Sequence, residues 1–203
     1  MARRRLTGVL LVGGSSTRFG SPKALATFAG ETLAVRAWRV LGEACDERIA
    51  VGKHGELELP FEVVDDGIEL RAPLVGVVAG LRAATHDVAV FLPVDAPLVS
   101  PAILQALGDA CREAAMPFAS PAPCAIHKRA LATLERRLNG DDLSLRGALR
   151  ALDTAVLEID PELLADADTP DELRQLRAST RSRSAPVPTS VTGTSSSRST
   201  NST

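Results

Sequence analysis

Leu6-Thr7-Gly8-Val9-Leu10-Leu11-Val12-Gly13-Gly14-Ser15-Ser16-Thr17-Arg18-Phe19-Gly20-Ser21-Pro22-Lys23 is the stretch on which the reading of the fold turns. Gly8–Val12 is apolar without alternation, and Gly13-Gly14 stops it. A strand with no polar face is covered on both sides, which is the condition of a parallel sheet wrapped by helices. Such sheets bind ligands beyond the carboxyl ends of their strands, so the residues after Val12 are where chemistry belongs.

The chain on either side of this stretch repeats the pattern. Leu33, Ala34, Ala37, Trp38 and Leu41 recur at helical spacing and predict an amphipathic helix over 32–44. Short strands are expected at 48–51 and 61–64, the second ending in the turn signal Asp65-Asp66-Gly67. Val75–Ala84 reads as helix despite its two glycines, and 87–94 as a continuous apolar strand. Ser100-Pro101 supplies an N-cap and an N1 proline for a helix to about Ala115. Then come short strands at 118–120 and 124–126, helices at 128–138 and 145–152, and a strand at 155–159. Thr169-Pro170-Asp171-Glu172 is a capping box opening a last helix to about Arg177. The expected fold is α/β: three layers, a mostly parallel sheet with helices on both faces.

Composition narrows the function. Of 203 residues, 45% are apolar and 24% charged, enough for a full core. Five Phe, one Trp and no Tyr argue against a base-stacking platform for single-stranded nucleic acid. The net charge of −2 gives no basic field toward DNA or anionic lipid, and no run is long enough to span a membrane. Arg3-Arg4-Arg5 before an apolar run imitates a twin-arginine signal, but a buried first strand explains the run better. Cys45, Cys111 and Cys124 are odd in number and far apart, which fits a reducing, cytoplasmic setting. One domain is expected over 1–177. Residues 178–203 are rich in Ser and Thr and are expected to be a disordered tail.

The loop after the first strand is built for an anion. Glycines let backbone N–H groups approach closely, Ser15, Ser16 and Thr17 add hydroxyls, and Arg18 and Lys23 add fixed positive charge. It is not a P-loop, since Lys23 stands three residues after Gly20. Farther on, Asp95 follows a buried strand between Pro93 and Pro97, a stiff setting for a carboxylate. Mg²⁺ takes such hard oxygens, one or two carboxylates together with substrate phosphates. Asp166 and Asp168, one residue apart, suit the same ion, though acids there also favour the dipole of the helix that follows. His54, His86 and His127 stand apart from one another with no nucleophile arranged beside them.

Gly13, Gly14, Ser16, Arg18, Gly20 and Lys23 match Gly-Gly-x-Ser-x-Arg-x-Gly-x-x-Lys, and this loop resembles the signature of the MobA-like nucleotidyltransferases that make molybdenum-cofactor dinucleotides. Lys23 is one residue early relative to members with a longer loop. The resemblance spans roughly 6–177 and implies a Rossmann-like nucleotidyltransferase fold. It implies catalytic roles for Arg18, Lys23 and Asp95, and Mg²⁺ on Asp95 and Asp168. It implies nucleotide contacts from Leu11, Val12, Gly13, Gly14, Ser15, Ser16, Lys23 and Asp95. Asp65 or Asp66 would meet the base or ribose, and an acid accepts well from the N1–H and N2–H₂ edge of guanine. Pro73, Leu74 and Gly76, in a segment resembling the family's Gly-Pro-Leu-x-Gly, would shape the base pocket, with Ala72 replacing the first glycine. A family Asn falls at Gly52, which leaves the base open. His127 lies in the half implied to hold the pterin.

The implied reaction is Mg²⁺-dependent transfer of GMP from GTP to molybdopterin with release of pyrophosphate, and the implied partners include molybdoenzymes or their chaperones in transient contact. Asp166-Ala167-Asp168 leans toward a cytidylyl branch that uses CTP. A sugar-phosphate nucleotidyltransferase is a broader rival, and a non-catalytic nucleotide or pterin scaffold is a rival of another class. Every catalytic version requires Lys23 and Asp95 to face each other across the triphosphate.

Overall fold

The computed structural model describes residues 3–12, 22–53, 57–67, 72–140 and 143–184, with side chains to residue 179. In chain order the elements are β1 (Leu6–Leu11), β2 (Thr27–Phe28), β3 (Glu31–Thr32), α1 (Leu33–Ala44), β4 (Glu47–Gly52) and β5 (Val63–Asp65). There follow α2 (Pro73–Ala83), β6 (Val88–Pro93), α3 (Pro101–Ala110), β7 (Ala114–Pro117) and β8 (Cys124–His127). The chain closes with α4 (Leu131–Leu138), α5 (Leu145–Arg150), β9 (Thr154–Leu157) and α6 (Pro170–Ser184).

Because both its faces are apolar, β1 lies inside a seven-stranded sheet of order β5-β4-β1-β6-β8-β7-β9. Its pairings to β4 and β6 are parallel, and β8 alone among these strands runs against the rest. Leu6 and Leu10 enter a core shared with α1 and α3, while Val9 enters a second core under α2, α4 and α5. These are the three layers expected.

Glycines set how closely the helices lie. A Cβ on Gly80 of α2 would stand 2.6 Å from Val9 Cγ1 and 3.0 Å from Phe91 Cε1, so α2 sits on β1 and β6 with no room for a methyl. α1 starts at Thr32, whose hydroxyl accepts from Val35 N at 3.3 Å. Its partner hairpin, β2–β3, turns through Ala29 and Gly30, both at positive φ (51° and 95°). That pair of conformations is what a tight two-residue hairpin requires.

Three expectations change. α3 stops at Ala110, and Ala114–Pro117 is strand rather than the end of a helix. Alanine's helix propensity favours the wrong reading there; burial of Ala114 and Ala115 between neighbouring strands overrides it. Residues 118–120 are not strand, and Phe118 is exposed. Finally, α6 continues to Ser184 rather than ending near Arg177. Nothing from Asp171 to Ser184 is Gly or Pro, and Pro186 is the first residue that disfavours helix. The cysteines are unpaired and buried, which raises the Cys45 thiol to about 12 and the Cys111 thiol to about 11. Among the described residues no helix is long and apolar enough to cross a membrane.

Candidate active site

In this sheet the chain leaves β1 toward β4 on one side and leaves β6 toward β8 and β7 on the other. The divergence opens a crevice beyond the carboxyl ends of β1 and β6, the usual ligand position in an open α/β sheet. Lys23 and Asp95 are both there. Lys23 opens a 3-10 turn, Lys23–Leu25, held by Leu25 N to Pro22 O at 3.0 Å and Ala26 N to Lys23 O at 2.9 Å. Asp95 lies two residues past the end of β6, where Val94 N donates to Leu11 O at 3.1 Å and ties the two strand ends together.

Lys23 Nζ donates to Asp95 Oδ2 at 3.0 Å and also to Asp168 Oδ1. Asp168 arrives from the far end of the chain because the backbone before α6 docks on the Asp95 turn: Ala167 is fully buried and its N–H donates to Asp95 O at 3.0 Å. The capping box fixes the same segment. Glu172 Oε2 accepts from Asp168 N and Thr169 N, and Thr169 Oγ1 accepts from Glu172 N.

Burial alone would lower the Lys23 pKa. The hydrogen bonds to Asp168 and Asp95, and their charges, outweigh it and hold the ammonium above the ordinary lysine value. Asp166 shows the opposite imbalance. Burial raises its carboxyl pKa first, and the negative charge of Asp95 adds to it. Among the described residues, Lys23 set against three acids leaves surplus negative charge, so the donor set fits a divalent ion with hard oxygen ligands. Asp95 and Asp168 would hold it.

At the end of β4 and β5 a second pair forms. Lys53 Nζ donates to Asp66 Oδ1 at 2.5 Å, both side chains largely buried, just beyond the paired Gly52 and Asp65. Asp65 is exposed, and its Oδ1 accepts from Gly67 N at 2.7 Å, a turn role. The two acids of that motif differ in burial, and Asp66 forms a largely buried ion pair with Lys53. Lys53 was missed by sequence reasoning, although it stands directly after a parallel strand, the position that singled out Asp95.

The remaining predicted residues divide as follows. Gly13, Gly14, Ser15, Ser16 and Arg18 lie outside the described residues, as does His54. Leu11 packs against the core, and Val12 is buried with its N–H on Val51 O at 3.0 Å. Pro73 opens α2, and a Cβ on Gly76 would meet Leu11 Cδ2 at 3.1 Å, so this helix start abuts the end of β1. Leu74, expected at the nucleotide, is instead fully enclosed in the core, because the first turn of α2 points it into the sheet. His127 pairs with Val88 at the start of β6, the rim opposite Asp95.

A helix-flanked sheet with a lysine and two carboxylates beyond its central strands is an α/β ligand-site arrangement, and sequence comparison gives the class. The model of the MobA-like NTP transferase domain matches residues 8–156. A probable molybdenum cofactor guanylyltransferase of Opitutus terrae is 36% identical over 159 residues, covering 72% of this chain and 79% of its own. Another from Chloroflexus aggregans is 30% identical over 197 residues, covering 85% and 94%. The chain belongs to the MobA-like NTP transferase family and is a nucleotidyltransferase. Its fold matches the crystal structure of molybdopterin-guanine dinucleotide biosynthesis protein A from Archaeoglobus fulgidus (TM-score 0.73, 21% identity, 87% of this chain and 99% of that one). It also matches 2-C-methyl-D-erythritol 4-phosphate cytidylyltransferase from Thermus thermophilus (TM-score 0.67, 17% identity, 85% and 98%).

Proposed function

We propose that this protein transfers GMP from GTP to the terminal phosphate of molybdopterin, releasing pyrophosphate. The observation that carries the reading is the Lys23 ammonium held between Asp95 and Asp168 in the crevice between β1 and β6. The names of relatives at 30–36% identity support the choice of substrates.

An acceptor phosphate oxygen attacks the α-phosphorus. A P–O bond forms as the bond from the α-phosphorus to the bridging oxygen breaks, and pyrophosphate leaves with that electron pair. The attacking oxygen is already anionic near neutral pH, so no strong base is needed. The demand is in-line placement and cancellation of negative charge. Lys23, charged at neutral pH, would meet the phosphates, and the glycine loop with Arg18 would hold the rest of the triphosphate. Mg²⁺ on Asp95 and Asp168 would supply charge neutralisation at donor and acceptor oxygens. Asp66 would accept from the N1–H and N2–H₂ edge of guanine, oriented by Lys53.

The test is pyrophosphate release with Mg²⁺ and molybdopterin, run in parallel with GTP, CTP, ATP and UTP. Release with GTP alone is expected. Release with CTP in its place would make the protein a cytidylyltransferase, and release with none would leave a binding scaffold.

A further inference from the structure

We infer that Arg36, on the first turns of α1, is a positioning residue that sets the alignment of Asp95 with Lys23. The role rests on the nucleotidyl-transfer reading of the site. Arg36 Nε donates to Pro97 O at 2.6 Å, two residues beyond Asp95, and that carbonyl belongs to a buried residue. Its Nη1 donates to Glu31 Oε1 at 3.2 Å, and its guanidinium lies 5.3 Å from the centre of the Phe28 ring.

The turn that presents Asp95 is weakly bonded to itself. Ala96 N reaches Pro93 O, and Val99 N reaches Ala96 O, only at 3.4 Å, and Pro97 has no N–H to give. Among the bonds that hold it from outside are Ala167 N on Asp95 O at 3.0 Å and Arg36 on Pro97 O. The Arg36 bond is the shorter and is charge-assisted, the stronger kind.

The same end of α1 also holds the other half of the site. Leu33 N donates to Ala26 O at 2.9 Å, and Ala26 closes the turn that begins at Lys23. Glu31 and Phe28, which brace Arg36, are the two sides of the hairpin that follows that turn. One helix end therefore grips the lysine turn through its backbone and the aspartate turn through one guanidinium. Glu31 is held ionised by Arg39 as well as Arg36, so the brace stays charged at neutral pH. A lysine at position 36 has no planar fork with which to serve Pro97 O and Glu31 together.

Amide hydrogen exchange in the ligand-free protein tests the geometry without any assumption about substrate. In Arg36→Gln, exchange at Ala167 and Val99 should accelerate about tenfold or more while Val9 and Leu10 in β1 stay protected. Arg36→Lys should fall between that variant and the parent. In turnover, Arg36→Gln should lower kcat about tenfold with KM for the triphosphate within about twofold, the split expected of misalignment rather than lost binding. Glu31→Gln removes the brace alone and should show the same pattern at smaller amplitude; it decides the matter if Arg36→Gln does not fold. Unchanged exchange at Ala167 and Val99 in the folded variants overturns the proposal. Absence of pyrophosphate release from the parent protein would instead overturn the functional reading, and the exchange result would stand apart from it.

Discussion

In the proposed transfer the chemistry depends on a single lysine between two carboxylates, and the charge state of that lysine follows from its neighbours. Since the folded pKa of Lys23 lies above 10.5, its contribution to stability is complete below that pH and is lost only as pH rises past the folded value. The ammonium is therefore intact across any working range, and removing it should act on catalysis. Lys23→Ala is expected to cut pyrophosphate release more than tenfold, in line with loss of a preorganised charge; near-normal turnover would remove Lys23 from the mechanism. Asp166 runs the other way. Its pKa is raised above 3.8 in the fold, so its ionised form weighs against the folded state once pH rises through the raised value, and the penalty vanishes below about 3.8. Asp166→Asn should melt higher than the parent protein at pH 7, with the difference closing toward pH 3.5; equal melting curves at pH 7 would show that no such penalty exists. Asp95 and Lys23 were legible in the sequence because each follows an apolar strand. Lys53 was not, because the strand before it opens with Glu47-Arg48 and is only partly apolar, so its end is weakly marked.

At the scale of elements, legibility followed the strength of the hydrophobic period. α1, β1 and β6 are long and strongly patterned and stand where expected to within two residues. β7 was lost to the helix before it, because Ala114 and Ala115 carry no preference that a local window can separate from α3. The β2–β3 hairpin was missed because its strands have two residues each and its turn uses Ala29 where a glycine or asparagine would have signalled it. The glycines of α2 looked like a weakness in a helix and are instead its means of reaching the sheet. Gly80→Ala gains helix propensity but drives a methyl into Val9, a branched residue on a central strand with little freedom to yield. Overpacking should win, with a loss of about 1–3 kcal/mol in urea denaturation. A neutral or stabilising result would show that α2 can lift off β1 without cost.

Over the whole molecule, the rim of the sheet orders the chemistry in space. Lys53 and Asp66 lie at the ends of β4 and β5, Lys23 and Asp95 at β1 and β6, and β8, β7 and β9 extend the sheet beyond them. The alternation of strands and helices predicted the layers, yet nothing in the sequence marked β8 as reversed, since side-chain alternation is the same for either direction. The last helix raises a separate question, because it is both a structural clamp and the start of a Ser- and Thr-rich tail. Its clamp function resides in its first two turns. Leu173 is buried, Leu176 packs against the same core, and the capping box that holds Asp168 ends at Glu172. Beyond Arg177, Ala178 and Ser179 face solvent. A chain ending at Arg177 keeps every one of these contacts, and the helix it loses begins with the exposed Ala178 and Ser179, where intrinsic helix contribution is small without tertiary packing. Its melting temperature should fall by no more than about 2 °C, the range of surface changes in a domain of this size, and its turnover should match that of the full chain. A larger fall would mean that residues past 177 pack on the domain and help hold Asp168 against Lys23.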